Sequence, residues 1–222
     1  MSEFEDKIVV VTGAAGTLGT AVAATFHDAG ARVTGIDIVE SDAPWRTTTA
    51  DLIDPGTATA AFAELGDIDV LANIAGGFTM GDAVVDTSDA TWDFMMNLNA
   101  RTVFNAARAV VPAMKAAGRG KIINISARGG LRGAAAMGAY AASKAVVQRL
   151  TETLADELKA DGINVNCILP SIIDTPQNRR DMPKARFDHW VPPADIAAVV
   201  AFLASNAARS IHGASIPVEG LS

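Results

Sequence analysis

The chain has 222 residues and a formal net charge of −7; half of its residues are hydrophobic, 19% are charged and 5% are aromatic. This composition excludes a disordered chain and leaves ample apolar material for a core, at a length that fits one large domain or two small ones. The acidic balance argues against a nucleic-acid partner, and the single cysteine, Cys167, excludes an internal disulfide and any cysteine-based metal cluster.

Met1 to Lys7 carries early acids and no apolar stretch, and no run of about 20 apolar residues occurs anywhere. The expectation is no secretory signal, no membrane partner and a cytoplasmic location. Ile8 to Val11 is a continuous apolar strand of the kind buried on both faces. A Gly-rich turn follows, then a helix from Leu18 to Ala29, ended by Gly30. Arg32–Asp37 reads as a second strand, Thr47–Ala50 as a third, Ala58–Leu65 as a short helix and Val70–Asn73 as a fourth strand. Ala90–Lys115 is predicted as one long amphipathic helix with a bend before Pro112. Lys121–Ile125 is the fifth strand and Met137–Lys159 the second long helix. Asn164–Leu169 is the sixth strand, Pro192-Pro193 opens a last helix to Leu203, and Ser215–Val218 closes the sheet. With no repeat or linker, residues 1–222 read as one α/β domain. It is a Rossmann-like, doubly wound parallel sheet of about seven strands with helices on both faces.

Thr12-Gly13-Ala14-Ala15-Gly16-Thr17-Leu18-Gly19 joins the first strand to the first helix. Glycines permit the tight turn and bring backbone N–H groups and the helix N-terminus to a pyrophosphate; the plain alternative is a turn without a ligand. Asp37 ends the second strand, where an acid accepts from ribose hydroxyls and repels a 2′-phosphate. No Lys or Arg lies in the loop, so the expected cofactor is NAD, with NADH favoured over NADPH.

Tyr140-Ala141-Ala142-Ser143-Lys144 lies within a helix, where positions four apart share a face. An ammonium ~4–5 Å from a phenol, at an effective dielectric of ~20, favours the phenolate by ~3–4 kcal/mol. Lys144 is therefore expected to bring Tyr140 toward neutrality as a proton donor. Alone, such a pair is often just a half-buried Tyr and a solvated Lys.

In combination, these features resemble the short-chain dehydrogenase/reductase family over nearly the whole chain. Thr12, Gly13 and Gly19 match its glycine loop, Asp51-Leu52 its Asp-Leu pair at the adenine, and Asn73-Ile74-Ala75-Gly76 its Asn-Asn-Ala-Gly motif. Asn99 matches the asparagine of its central helix, Asn124-Ile125-Ser126 its strand end, and Pro170-Ser171-Ile172-Ile173-Asp174-Thr175 the segment that holds a nicotinamide carboxamide. The resemblance implies Tyr140, Lys144 and Asn99 as catalytic residues, with Asn99 holding a water of the proton relay. It implies cofactor contacts from Gly13, Gly16, Thr17, Leu18, Gly19, Asp37, Asp51, Leu52, Asn73, Ala75, Gly76, Tyr140, Lys144, Pro170, Ile173 and Thr175. It also implies a homodimer or homotetramer built through the two long helices.

The chain departs from the family pattern at Thr17, Ile74 and Ser171, and most sharply at Ala127, which stands where the family has its catalytic serine. Ser126 is adjacent but points to the opposite face of an extended strand. A lost oxyanion-stabilising hydroxyl costs ~2.7–4 kcal/mol, so simple ketones should be poor substrates. The branch of quinonoid dihydropteridine reductases shares the alanine. It also resembles Ala75-Gly76-Gly77-Phe78 and the segment Asp174 to Trp190, whereas Asn99 follows the wider family. Residues 175–190 are expected as a short lid, whose Met182, Phe187 and Trp190 meet a small-molecule substrate together with Phe78 and Ala127. Arg179 and Arg180 would attract an anionic group; alternatively the aromatics only pin the lid. His27, His189 and His212 have no metal-ligand spacing, so no metal is expected. Three readings stay open: a pterin-type quinonoid reductase, a reductase of 3-oxoacyl thioesters or other ketones, and a non-catalytic NAD(H) sensor.

Overall fold

Val9 and Val11 face one side of a sheet and Val10 the other, and all three are wholly buried. That alternation already requires helices on both faces. The computed structural model describes residues 3–221. In chain order it contains β1 (Ile8–Thr12), α1 (Thr17–Asp28), β2 (Arg32–Asp37), β3 (Arg46–Thr49), α2 (Pro55–Ala63) and β4 (Val70–Asn73). Then come α3 (Asp89–Met96), α4 (Thr102–Ala117), β5 (Gly120–Ile125), α5 (Gly138–Leu158), β6 (Ile163–Pro170), α6 (Pro176–Asp181), α7 (Pro193–Ala204) and β7 (Ser215–Val218).

The strands run β3-β2-β1-β4-β5-β6-β7, and every neighbouring pair is parallel. The chain starts inside the sheet, winds out to β3, and returns to β4 beside β1. The crevice at that reversal, at the carboxyl ends of the strands, is where such sheets take ligands. Leu18, Val22 and Phe26 of α1 pack with Ile196, Val200 and Leu203 of α7 over Val9, Val11, Ala72 and Ile168. On the other face, Phe62, Val110, Met114 and Leu158 cover Val10, Leu71, Ile122 and Val165. Among the described residues no helix is long and apolar enough to cross a membrane.

The predicted helix Ala90–Lys115 is present as one unbroken helical run from Asp89 to Ala117. α3 and α4 meet in a π-turn at Asn97–Arg101, where the N–H of Thr102 donates to the carbonyl of Asn97, five residues back. Pro112 sits inside α4, away from this widened turn. α2 starts at Pro55, before the expected Ala58, because the Asp54 carboxylate accepts from the N–H of Thr57 at 2.7 Å and caps it. The lid segment also holds the short helix α6 and a 3₁₀ turn at Phe187–His189.

Candidate active site

The Thr12 hydroxyl at the end of β1 accepts from the N–H groups of Ile74 and Ala75, both at 3.1 Å, and so fixes the segment after β4 beside the glycine loop. Gly13 has φ of +65°, and a Cβ there would lie 2.7 Å from the Cα of Ala75. A Cβ on Gly19 would lie 2.0 Å from the carbonyl oxygen of Gly13. Loop, helix and neighbouring strand therefore close together only with glycine at both positions. Gly16 precedes α1 and supplies no side-chain cap, so the first N–H groups of the helix, at Thr17 and Leu18, are left for an anion. Leu18 itself is buried, so only its backbone can serve a ligand. Asp37 turns onto this loop: one carboxylate oxygen accepts from the N–H of Ala15 at 3.0 Å and the other from Ile38 at 2.7 Å. This cradle fits the diphosphate and adjoining ribose of a dinucleotide.

Three of the residues expected at the cofactor also make bonds or contacts within the protein. The amide of Asn73 is buried and donates to Asn124 at 2.8 Å, and Asn124 donates to Thr151 at 2.8 Å, so this side chain ties β4 and β5 to α5. Leu52 lies in the core, and its carbonyl accepts from the Asn105 amide at 2.9 Å, whereas the Asp51 carboxylate is exposed and is left to border a base. The hydroxyl of Thr175 caps α6 by accepting from Asn178 at 3.1 Å. Pro170 closes β6 opposite Val218, and Ile173 forms a parallel bridge with Val191.

Tyr140 and Lys144 occupy the first turns of α5. The Tyr140 ring meets Phe78 edge-on, with centroids 4.8 Å apart. Lys144 is buried, and its Nζ donates to the carbonyl of Ile125 at 3.0 Å. A Cβ on Gly76 would stand 2.8 Å from the Asn99 Oδ1 and 3.1 Å from the Lys144 Nζ, so this glycine lets both groups share one place. The Asn99 Oδ1 accepts from the N–H of Gly77 at 2.9 Å, and its Nδ2 donates to the Gly77 carbonyl at 3.1 Å and to the Ser143 hydroxyl at 3.0 Å. Ser143 donates to the carbonyl of Tyr140 at 2.8 Å. The Asn99 amide thus ties the Gly77 turn to α5. Ser143 and Gly77 belong to the site although the sequence reading assigns them no role; their signal is their place as the remaining letters of Tyr-Ala-Ala-Ser-Lys and Ala-Gly-Gly-Phe.

The expected depression of the Tyr140 pKa is corrected. Burial pushes the phenol up to about 12 and pushes Lys144 down to about 8. Desolvation disfavours both charged forms, and a lysine whose ammonium is itself disfavoured pulls less on its neighbour.

The Ser126 hydroxyl donates to the carbonyl of Lys144 at 2.8 Å and accepts from Gln148 at 3.0 Å, so it faces α5. Ala127 is extended, with φ of −164° and ψ of 162°, and turns its methyl to the other side. Ser126 therefore does not replace the missing hydroxyl.

In the lid, Arg179 donates to both oxygens of Asp174 at 2.6 and 2.7 Å and lies 4.8 Å from the ring centroid of Phe187. Arg180 donates to Gln177 at 2.7 Å. Both guanidinium groups are exposed and have partners in this segment. Trp190 is only 5% exposed and packs on Phe187 at 4.8 Å, which makes it an anchor of the lid and not part of its open surface. Met182 and Phe78 are exposed, at 37% and 54%.

Residues 7–185 match the family model described as short chain dehydrogenase. The 2-dehydro-3-deoxy-D-gluconate 5-dehydrogenase of Escherichia coli (strain K12) is 35% identical, over 97% of this chain and 95% of that protein. The 3-oxoacyl-[acyl-carrier-protein] reductase FabG of Thermotoga maritima is 32% identical, over 97% of each chain. The crystal structure of levodione reductase superposes with a TM-score of 0.90 at 29% identity, covering 98% of this chain and 97% of that one. The chain belongs to the short-chain dehydrogenase/reductase family and is an oxidoreductase of the kind that uses NAD(P).

Proposed function

We propose that the protein is an NADH-dependent reductase whose substrate carries its own activation, such as a quinonoid or protonated imine-type ring. The observation that carries this reading is Ala127 with Ser126 turned away: no hydroxyl is offered at the position where the family polarises a carbonyl. An acceptor that is already electron-poor takes hydride without that help, as the alanine-bearing branch resembled by residues 174–190 does. Asp37 supports NADH over NADPH, because its carboxylate lies against the glycine loop and would repel a 2′-phosphate.

The loop Gly13–Gly19 and Asp37 would hold the adenosine diphosphate. Gly76, the Pro170–Thr175 segment and Lys144 would border the nicotinamide end, and the bound cofactor would supply the hydride. Tyr140, protonated over the whole physiological range by its burial, donates the proton to the reduced oxygen or nitrogen. Asn99 and Ser143 keep its helix in register. Phe78, which leans on Tyr140, and Met182 border the substrate. Assembly as a dimer or tetramer through α4 and α5 is part of this proposal; Phe104 of α4 is exposed, with Arg108 over its ring at 5.3 Å.

A second reading, reduction of a 3-oxoacyl thioester or another ketone, is favoured by the Thermotoga maritima relative and by retention of Asn99. A panel of quinonoid dihydropterin, quinones and 3-oxoacyl thioesters with NADH and NADPH decides between the two. Turnover of quinonoid acceptors at least tenfold above ketones supports the first reading, and the reverse order overturns it.

A further inference from the structure

The chain after β7 is stitched to three walls of the site. The Ser171 N–H donates to the carbonyl of Val218 at 3.1 Å, and its hydroxyl donates to the carbonyl of Glu219 at 2.7 Å. The N–H of Leu221 donates to the carbonyl of His189 at 3.0 Å. Gly220 has φ of +59°, and a Cβ there would stand 2.8 Å from that same carbonyl oxygen, so the segment presses flat on the end of the lid. The third attachment is electrostatic: Arg128, the residue after Ala127, pairs with Glu219 at 2.9 Å. This pair spans from the end of β5 to the end of β7, with the end of β6 between them. Ser171, which stands where the family has glycine, adds a side-chain bond that glycine could not make.

We propose that Arg128 and Glu219 are positioning residues for the nicotinamide end of the cofactor. They clamp residues 218–221, and with them the Pro170–Thr175 segment and the foot of the lid, onto the strand end that carries Ala127. The proposal rests on the cofactor placement given above. Both side chains are half-exposed, so the contribution is modest and graded.

Equilibrium binding of NADH, read by nicotinamide fluorescence on the full chain, tests it against ADP-ribose, which lacks the nicotinamide. Arg128→Gln and Glu219→Gln should each weaken NADH by about three- to fivefold, the scale of an exposed ion pair. The double variant should be no weaker than either single, and the exchanged pair Arg128→Glu with Glu219→Arg should regain most of the loss. ADP-ribose affinity should stay at the wild-type value, and the melting temperature should fall by no more than a few degrees. Wild-type NADH affinity in the single variants, equal losses for NADH and ADP-ribose, or losses that add in the double variant would each overturn the clamp and leave the cofactor reading standing. Failure of the wild-type chain to bind NADH would overturn both.

Discussion

The amide of Asn99 donates to the hydroxyl of Ser143 across 3.0 Å, which joins the π-turn to the helix that carries the catalytic phenol. Ser143 passes the contact on to the carbonyl of Tyr140. Its replacement by alanine leaves a buried amide hydrogen without that partner and costs about 1–3 kcal/mol of stability. We expect Ser143→Ala to unfold at lower urea and to lose kcat more than NADH affinity. A variant with unchanged kcat would remove Ser143 from the positioning network.

Lys144 makes stability depend on pH in a stated direction. Its folded pKa of about 8 lies below the ordinary 10.5, so between these values the unfolded chain binds the extra proton. Stability therefore rises with pH across this window and is lowest below pH 8, by roughly 3 kcal/mol for a shift of this size. Lys144→Met removes this slope. Tyr140 acts oppositely: with a folded pKa near 12 it withdraws stability only as the pH rises past 10. Urea midpoints of the wild type and Lys144→Met from pH 7.5 to 9.5 should show the wild type gaining on the variant; parallel curves would contradict a buried, depressed lysine.

The glycine loop predicts two unequal substitutions. Gly19→Ala forces a methyl within 2.0 Å of the Gly13 carbonyl and should abolish folding of the loop and NADH binding together. Gly16→Ala meets its nearest atom at 3.4 Å with φ of −75°, so its melting temperature should stay within a few degrees of wild type. Thermal melts of the two variants check both statements.

At the end of β5 the neighbours should behave differently. Ala127→Ser places a hydroxyl on the side away from α5 and should raise kcat/KM on simple ketones by about tenfold or more, given the ~2.7–4 kcal/mol such a group can supply. Ser126→Ala removes bonds to the Lys144 carbonyl and Gln148, and should cost stability without changing the preference among substrates. Steady-state assays on a ketone and a quinone resolve the pair.

Asp37→Ser removes the charge beside the loop and should narrow the ratio of NADH to NADPH affinity by at least fivefold. An unchanged ratio would place the discrimination elsewhere.

The parts of the site made by near neighbours in the chain are legible in the amino-acid order alone. Tyr140 and Lys144 share a face because of helical period, the glycine loop follows a strand and opens a helix, and Ser126 and Ala127 diverge because a strand alternates. What stays hidden depends on three-dimensional surroundings. No proline or glycine marks the π-turn at Asn97–Arg101, and the Arg179 partner, Asp174, is recognisable only once α6 has formed. Charge alone misleads at Tyr140, because it treats the neighbouring ammonium as hydrated, whereas Lys144 lies inside the protein. Motif position alone gives Asn73 to the cofactor, because nothing local reveals that Asn124 lies beside it in the next strand.

The widened turn at Asn97–Arg101 also makes this helix sensitive to counting. An α-helix advances by about 100° per residue. Removing one residue of this stretch other than Asn99 would let the hydrogen bonds relax to ordinary spacing, with α3 and α4 keeping their orientation while side chains between them turn by up to that angle. Asn99 would then swing off Gly77 and Ser143 while every side chain needed for chemistry was still encoded. At this point a one-residue deletion should be more harmful than most substitutions.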